Sequence, residues 1–403
     1  MPQTSTQIRF FSVLSDDPRT DQAASDVTRA VGDALNGRID LLMAFYTAHH
    51  LEHIDSLHQC LREVAKSGVL LGASAEGIIG RQREIEGQPG LAVLAASLPG
   101  ADLSPFYCAR DDWNVLLGNE DALAEKLLGQ HLAPADTRCL LLLPDPFSSP
   151  LLRILPEIDQ ALPGVPVVGG VASAARRPGV NRLMMDDQLV SGGTVGLTVG
   201  GEIHVATTVS QGCRPIGRPF VITKAKRHIL QELGGRKALE AIEQTISVLS
   251  EEDRELCQTN GLLIGRVIDE YKNRFGRGDF VIRSIVGADR NLGYIAVGDP
   301  QIRIGQTVQL HVRDQATAHE DFQLLLEAQK IHGPASGALL FSCNGRGSRL
   351  FDDPNADAEM VHEALGEVPL AGFFASGEIG PVGNQCFLHG HTASLVTFRP
   401  GAE

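Results

Sequence analysis

The sequence predicts an α+β fold, α/β-like in its local order. It reads as repeated strand-helix-strand-helix-strand-strand units in two related halves, forming mixed sheets with helices packed on them. Three observations lead there. Three stretches end alike, Gly68–Ser74 (GVLLGAS), Val165–Ser173 (VPVVGGVAS) and Val368–Ser376 (VPLAGFFAS), each an apolar run that reaches glycine and then serine. Each follows a buried-strand run (Leu41–Phe45, Leu140–Leu143, Leu339–Phe341) by about thirty residues, which suits a strand, a crossover helix and a parallel strand. Gly200-Gly201, between two apolar runs, signals a two-residue hairpin, so antiparallel strands stand beside the parallel ones.

Apolar runs mark the strands, and the amphipathic stretches between them mark the helices. The first copy reads as strand 7–14, helix 20–36, strand 40–46, helix 51–66 and strands 68–74 and 91–97. The second reads as 102–108, 119–130, 139–143, 151–161, 166–172 and 193–199 in the same order. A third runs 307–313, 315–332, 338–343, 356–365, 369–374 and 392–398. Between them, 202–304 holds a helical stretch at 236–250 and strands near 261–266, 280–286 and 293–298, a candidate degenerate fourth copy. The expected division is therefore 1–222, with two units, and 223–403, with one clear and one degenerate unit.

Composition narrows the functional classes. The 403 residues carry 35 basic and 49 acidic side chains, a net charge of −14, with no run of Lys and Arg. Nucleic acid is not expected as a partner, because holding phosphates takes clustered cations. Apolar runs such as Leu140–Leu143 fall far short of the ~20 residues that span a bilayer, and the start lacks a basic stretch followed by an apolar one. Seven cysteines without a C-x-x-C spacing read as reduced thiols. A cytoplasmic protein with no membrane partner is expected. The 43 glycines exceed the usual share of about 7% but follow no Gly-x-y period, and 43% hydrophobic residues exclude disorder. Small residues at the strand ends leave room, which a small-molecule ligand is expected to fill.

Two strand-end loops, Ser74-Ala-Glu-Gly77 and Ser376-Gly-Glu378, set serine and glutamate two apart with glycine beside them. Strand ends in α/β arrangements gather ligands, so Glu76 and Glu378 are candidate acceptors for an ammonium or hydroxyl group. The alternative is a tight turn whose carboxylate satisfies its own amides. Gly212–Gly217 (GCRPIG) puts Cys213 and Arg214 in a rigid loop, where the guanidinium can fork onto a ligand carboxylate or make an inter-domain ion pair. Cys343–Gly347 (CNGRG) places Asn344 and Arg346 on a flexible loop, facing a ligand or braced by the Asn side chain. Neither loop has the Walker pattern. The candidate ligand-binding residues are Ser74, Glu76, Gly77, Arg214, Asn344, Arg346, Ser376 and Glu378.

Metal and catalytic patterns are thin. His49-His50-Leu51-Glu52-His53 matches H-x-x-E-H, but directly after a strand it reads as a solvated helix start, and no metal site is expected. His389 and His391 flank Gly390 and read as structural donors. Gly72-Ala-Ser-Ala-Glu76 lacks the second glycine of G-x-S-x-G. No catalytic set assembles, so an enzyme is not expected; Cys213 beside Arg214 is a conceivable nucleophile without an evident base.

The ordered set Gly72–Gly80, Val165–Gly170 (VPVVGG), Gly212–Gly217, Asn344–Gly347, Gly372–Pro381 and Phe387–Gly390 (FLHG) resembles the FIST family (F-box and intracellular signal transduction proteins), over nearly the whole chain. The resemblance implies a FIST N-type part over 1–222 and a FIST C-type part over 223–403. It implies a cytoplasmic sensory module that binds a small ligand, amino acids or related small acids, and speaks to an unknown signalling protein. With the first copy beginning near residue 7, an F-box is not expected, and neither is a cofactor. The alternatives that go with the resemblance are a haem-based nitric oxide sensor, for which no axial histidine can be matched, and a Cys213-dependent enzyme.

Overall fold

The computed structural model describes residues 7–129, 132–272 and 274–401. The chain packs as two compact units. One takes the described residues up to Val209, with Gln323–Leu388 and Thr392 onward; the other takes Ser210–Phe322 with His389–His391. The expected division at 222/223 follows chain order, whereas packing draws 210–322 out of the middle.

The first unit contains three copies of one motif. Copy one is β1 (Arg9–Ser15), α1 (Thr20–Ala34), β2 (Leu41–Thr47), α2 (Ile54–Ala65), β3 (Val69–Ala75), a hairpin of β4 (Gly77–Gly80) and β5 (Arg83–Glu86), and β6 (Leu91–Ser97). Copy two is β7 (Ala101–Cys108), α3 (Arg110–Leu116), α4 (Glu120–Leu128), β8 (Thr137–Pro144), α5 (Leu151–Ala161), β9 (Val167–Gly170), a hairpin of β10 (Leu183–Met185) and β11 (Gln188–Val190), and β12 (Thr194–Gly201). Copy three opens with β13 (Ile203–Gln211). After an insertion of β14 (Cys213–Lys226), β15 (Ile229–Leu233), β16 (Arg236–Lys237), α6 (Ala238–Ser247), α7 (Glu251–Asn260), β17 (Leu262–Val267), β18 (Phe280–Asp289), β19 (Tyr294–Val297) and β20 (Thr307–Arg313), it continues through α8 (Gln315–Gln329), β21 (Gly337–Cys343), α9 (Ala356–Leu365), β22 (Leu370–Ala375), the hairpin β23 (Glu378–Val382) and β24 (Gln385–His389), and β25 (Thr392–Pro400).

Each copy forms a sheet in the same order: β1-β6-β2-β3, β7-β12-β8-β9 and β13-β25-β21-β22. The two strands after the helices pair in parallel and the others pair antiparallel, so the sheets are mixed. The hairpins are exchanged in a cycle. Copy one's β4 pairs with β22 of copy three, copy two's β10 with β3 of copy one, and copy three's β23 with β9 of copy two. In register, Ile79, Met184 and Ile379 stand opposite the three repeat glycines Gly372, Gly72 and Gly169.

The strands read as near-continuous apolar runs because both faces are buried. Alternate residues such as Phe45, Ala73, Leu141, Phe341 and Phe373 point into one core shared by the three sheets. Their neighbours Leu42, Ala44 and Leu70 meet Val27 and Val31 of α1 and Leu57 and Leu61 of α2. Leu140 and Leu142 meet α4 and α5 in the same way.

The repeat glycines fill a different need from the expected ligand room. A Cβ on Gly72, Gly169 or Gly372 would lie 2.7, 1.9 or 1.8 Å from the carbonyl oxygen of Ala44, Leu142 or Leu340, its register partner in the adjacent parallel strand. The space is taken by backbone.

The second unit departs from the expected fourth copy. Its sheet, β14-β20-β17-β18-β19-β15-β16, is antiparallel throughout, and β15 also pairs with β14, closing a ring. Residues 307–313, expected as the first strand of the third copy, lie here as β20; β13 takes that place, continuing from β12 through Gly201 at φ +78°.

Candidate functional site

The strand ends of the three copies are tied to one another. The Ser173 amide donates to the Ser74 carbonyl (3.2 Å) and the Ser376 amide to the Val171 carbonyl (3.1 Å). The Glu76 amide donates to Ser173 Oγ (2.9 Å), which in turn donates to the Phe374 carbonyl. Counted from the repeat glycine, Glu76, Ser173 and Ser376 are the equivalent positions. The apparent recurrence of serine and glutamate in Ser74/Glu76 and Ser376/Glu378 is therefore offset by two residues.

Beside this junction lies a cavity of about 270 Å³, lined by Glu76, Gly77, Glu86, Gly87, Asn344, Ser348, Arg349 and Phe374. Docking of the β4–β5 hairpin on β22 carries Glu76 and Glu86 against the loop that follows β21. Asn344 Nδ2 donates to Glu76 Oε2 at 3.2 Å. Arg349 donates through one guanidinium nitrogen to Glu76 Oε1 and through another to the Asn344 carbonyl. The bond to Glu76 holds the Arg349 guanidinium above its ordinary pKa. Glu86 Oε1 accepts the Ser348 amide at 2.8 Å and fastens the turn that presents Arg349. A ligand here meets two carboxylates, one guanidinium and an amide donor against the Phe374 ring.

Behind the loop lies a buried charged layer. Arg346 is fully buried and forks onto Asp357, with Nε to Oδ2 at 2.8 Å and NH2 to Oδ1 at 2.6 Å, and packs 5.2 Å over the Phe351 ring. Asp357 also accepts from the Ser342 hydroxyl at 2.5 Å. Burial opposes the charge on Arg346, but Asp357 beside it raises its pKa. Glu84 accepts the Ala358 amide at 2.9 Å; burial, and then the nearby Asp357, push its carboxyl up to about 8. Glu378 accepts the Thr392 amide (3.1 Å) and hydroxyl (2.8 Å) and a hydrogen bond from Cys343, yet burial pushes it up to about 8 as well.

Of the candidate residues, Glu76, Gly77 and Asn344 meet at this cavity. Ser74 is buried, its hydroxyl accepting the Arg182 amide at 2.9 Å. Arg346 and Glu378 are fully buried, which removes them from the cavity wall. Ser376 lines a separate cavity. Arg214 belongs to the second unit, on a strand and not in a loop. Opposite Val312 of β20, it donates to Asp314 at 2.8 Å and to Asp253. Cys213 packs among Leu263, Val267, Phe280 and Ile282. His49, Glu52 and His53 are exposed on a 3-10 turn, Ala48–His53, but His50 turns inward to within 3.0 Å of the Thr20 hydroxyl. Among the described residues no group of three or more His, Cys, Asp or Glu side chains is set to hold a metal ion.

Glu86, Ser348, Arg349 and Phe374 are cavity residues that sequence reasoning missed. Glu86 was open to discovery, since a hairpin after Glu76 places it opposite Gly77. Arg349 was not, because nothing local separates it from Arg346, three residues earlier.

A FIST N domain model matches residues 40–236 and a FIST C domain model matches 238–381. Similar proteins include one of Mycobacterium tuberculosis, 37% identical over 93% of this chain and 97% of its own length. One of Mycobacterium bovis is 37% identical over 96% of this chain and 97% of its own. Two solved cyanuric acid hydrolase structures align at 10% and 8% identity, with TM-scores of 0.37 and 0.34, over 98% of this chain and 99% and 100% of theirs; the second is from A. caulinodans.

Proposed function

The chain belongs to the FIST family, whose domains are sensory and signal-transduction modules, and we propose that it senses a small polar ligand in the cavity between Glu76 and Arg349. What supports this is the pair of unlike charges lining one cavity of about 270 Å³. A zwitterion fits that pattern: an ammonium takes the place of Arg349 on Glu76, with Glu86 nearby, and a carboxylate takes the released guanidinium and the Asn344 amide. An amino acid or a related small acid is the ligand class. Glu76 and Arg349 come from different copies of the motif, so occupancy would bear on how the copy-one hairpin seats on copy three, a movement that a signalling protein can read. The ligand is bound and not transformed, and no cofactor takes part. We place this activity in the cytoplasm; no helix among the described residues is long and apolar enough to cross a membrane.

A thermal-shift screen against the common amino acids and small dicarboxylic acids tests the proposal. A ligand at a hundred times its Kd stabilises by about 2.7 kcal/mol, a clear rise in Tm. Glu76→Ala and Arg349→Ala are expected to abolish the rise while remaining folded, since both side chains are partly exposed. A screen with no shift, or a shift that survives both substitutions, overturns it.

A further inference from the structure

Ser376 opens a second question. It lines a cavity of about 300 Å³ with Pro146, Leu151, Leu152, Arg153, Val171 and Leu388, among others. This cavity repeats the charged one, one step around the cycle of copies. Val171 and Phe374 both stand two residues after their repeat glycines, and Ser376 and Glu76 stand four after theirs. Leu388 on β24 takes the place of Glu86 on β5, and the loop after β8 takes the place of the loop after β21. The repeat preserves the hollow and changes its chemistry, because Ser376 and Leu388 stand where the carboxylates Glu76 and Glu86 stand in the other.

We propose that this is a second ligand site, for a small carboxylic acid with an apolar body. The apolar walls favour a ring or short chain, and the volume lies at the low end of small-molecule pockets. Arg153 supplies the charge. Its guanidinium has no hydrogen-bond or ion-pair partner among the described residues, and it stands exposed in the first turn of α5 at the cavity's edge. The Ser376 hydroxyl donates to the Ala172 carbonyl (3.1 Å), which leaves its oxygen able to accept but not to donate further. The acid's body would lie against Leu151, Leu152 and Leu388, with its carboxylate outward on Arg153. Nothing here depends on the charged cavity being a sensory site.

Isothermal titration of the full chain with 3-phenylpropionate, its neutral amide and plain propionate tests the assignment. The aromatic acid is expected to bind best, the amide about fivefold more weakly, in line with an exposed ion pair, and propionate not measurably. Arg153→Ala should bring the acid down to the level of the amide and leave the amide unchanged. Leu152→Trp, at a partly exposed position, should fill the hollow and weaken both by more than tenfold while Tm stays within a few degrees. Glu76→Ala should change neither. Failure of the acid to bind overturns the proposal, as does binding that ignores Leu152→Trp or responds to Glu76→Ala.

Discussion

Arg346 and Arg349 show how strongly burial decides what a side chain does. Arg349 is partly exposed and donates to Glu76 at the cavity; Arg346 is sealed behind it on Asp357. Removing one partner of a buried ion pair strands the other charge, so Arg346→Ala is expected to cost about 3–5 kcal/mol in urea unfolding. Replacing Arg346 and Asp357 together by Met and Leu should recover much of that loss. Glu378 gives a pH signature. Its carboxyl holds the proton up to about 8 when folded, against an ordinary 4.5. Such a group contributes its stability fully below the unfolded value and loses that contribution as pH rises through the folded one. Stability should therefore fall between about pH 5 and pH 8. Glu378→Gln, which carries no proton to lose, should lessen that fall when the urea midpoint is followed against pH, leaving the part that Glu84 contributes.

At the scale of the element, the repeat glycines are fixed by strand pairing. Gly372 faces the Leu340 carbonyl so closely that a methyl group would have to push the two strands apart. Gly372→Ala is therefore expected to destabilise by about 3 kcal/mol or more, measured by chemical denaturation, with the charged cavity distorted as well because β4 pairs with the same strand. Gly87, which also lines that cavity, has open space where a Cβ would go but sits at φ +65°, so its constraint is conformational.

At the scale of the molecule, the bulk of the second unit, 213–313, is an insertion whose two ends meet. The Asp314 amide donates to the Gly212 carbonyl at 3.3 Å, and Cys213 pairs with Arg313 in register. Insertions that leave and return at one point are separable from their host. A chain in which a short Gly-Ser linker replaces residues 213–313 is expected to fold, with circular dichroism of a mixed α/β protein and with the ligand-induced thermal shift retained. Loss of folding would show that the motif's third copy depends on the insertion.

Much of this was legible in the sequence. The copies announce themselves through apolar runs, a glycine and a spacing of about thirty residues, because local periodicity and chain reach fix a strand–helix–strand unit. The family follows from ordered short motifs, and Glu76, Gly77 and Asn344 follow from their place at strand ends. Other features depend on pairing between residues far apart in the chain. Thr307–Arg313 has the pattern of a copy's first strand, yet β13 takes that role because it continues directly from β12. Glu86 and Arg349 lie far apart in the chain, yet pairing of β4 with β22 brings both to one cavity. The kind of unit, its repetition and its family are readable from local order along the chain. Which sheet each hairpin joins, and so which side chains share a cavity, was decided only by the tertiary structure, because hairpin exchange is a contest between distant edges that no local pattern encodes.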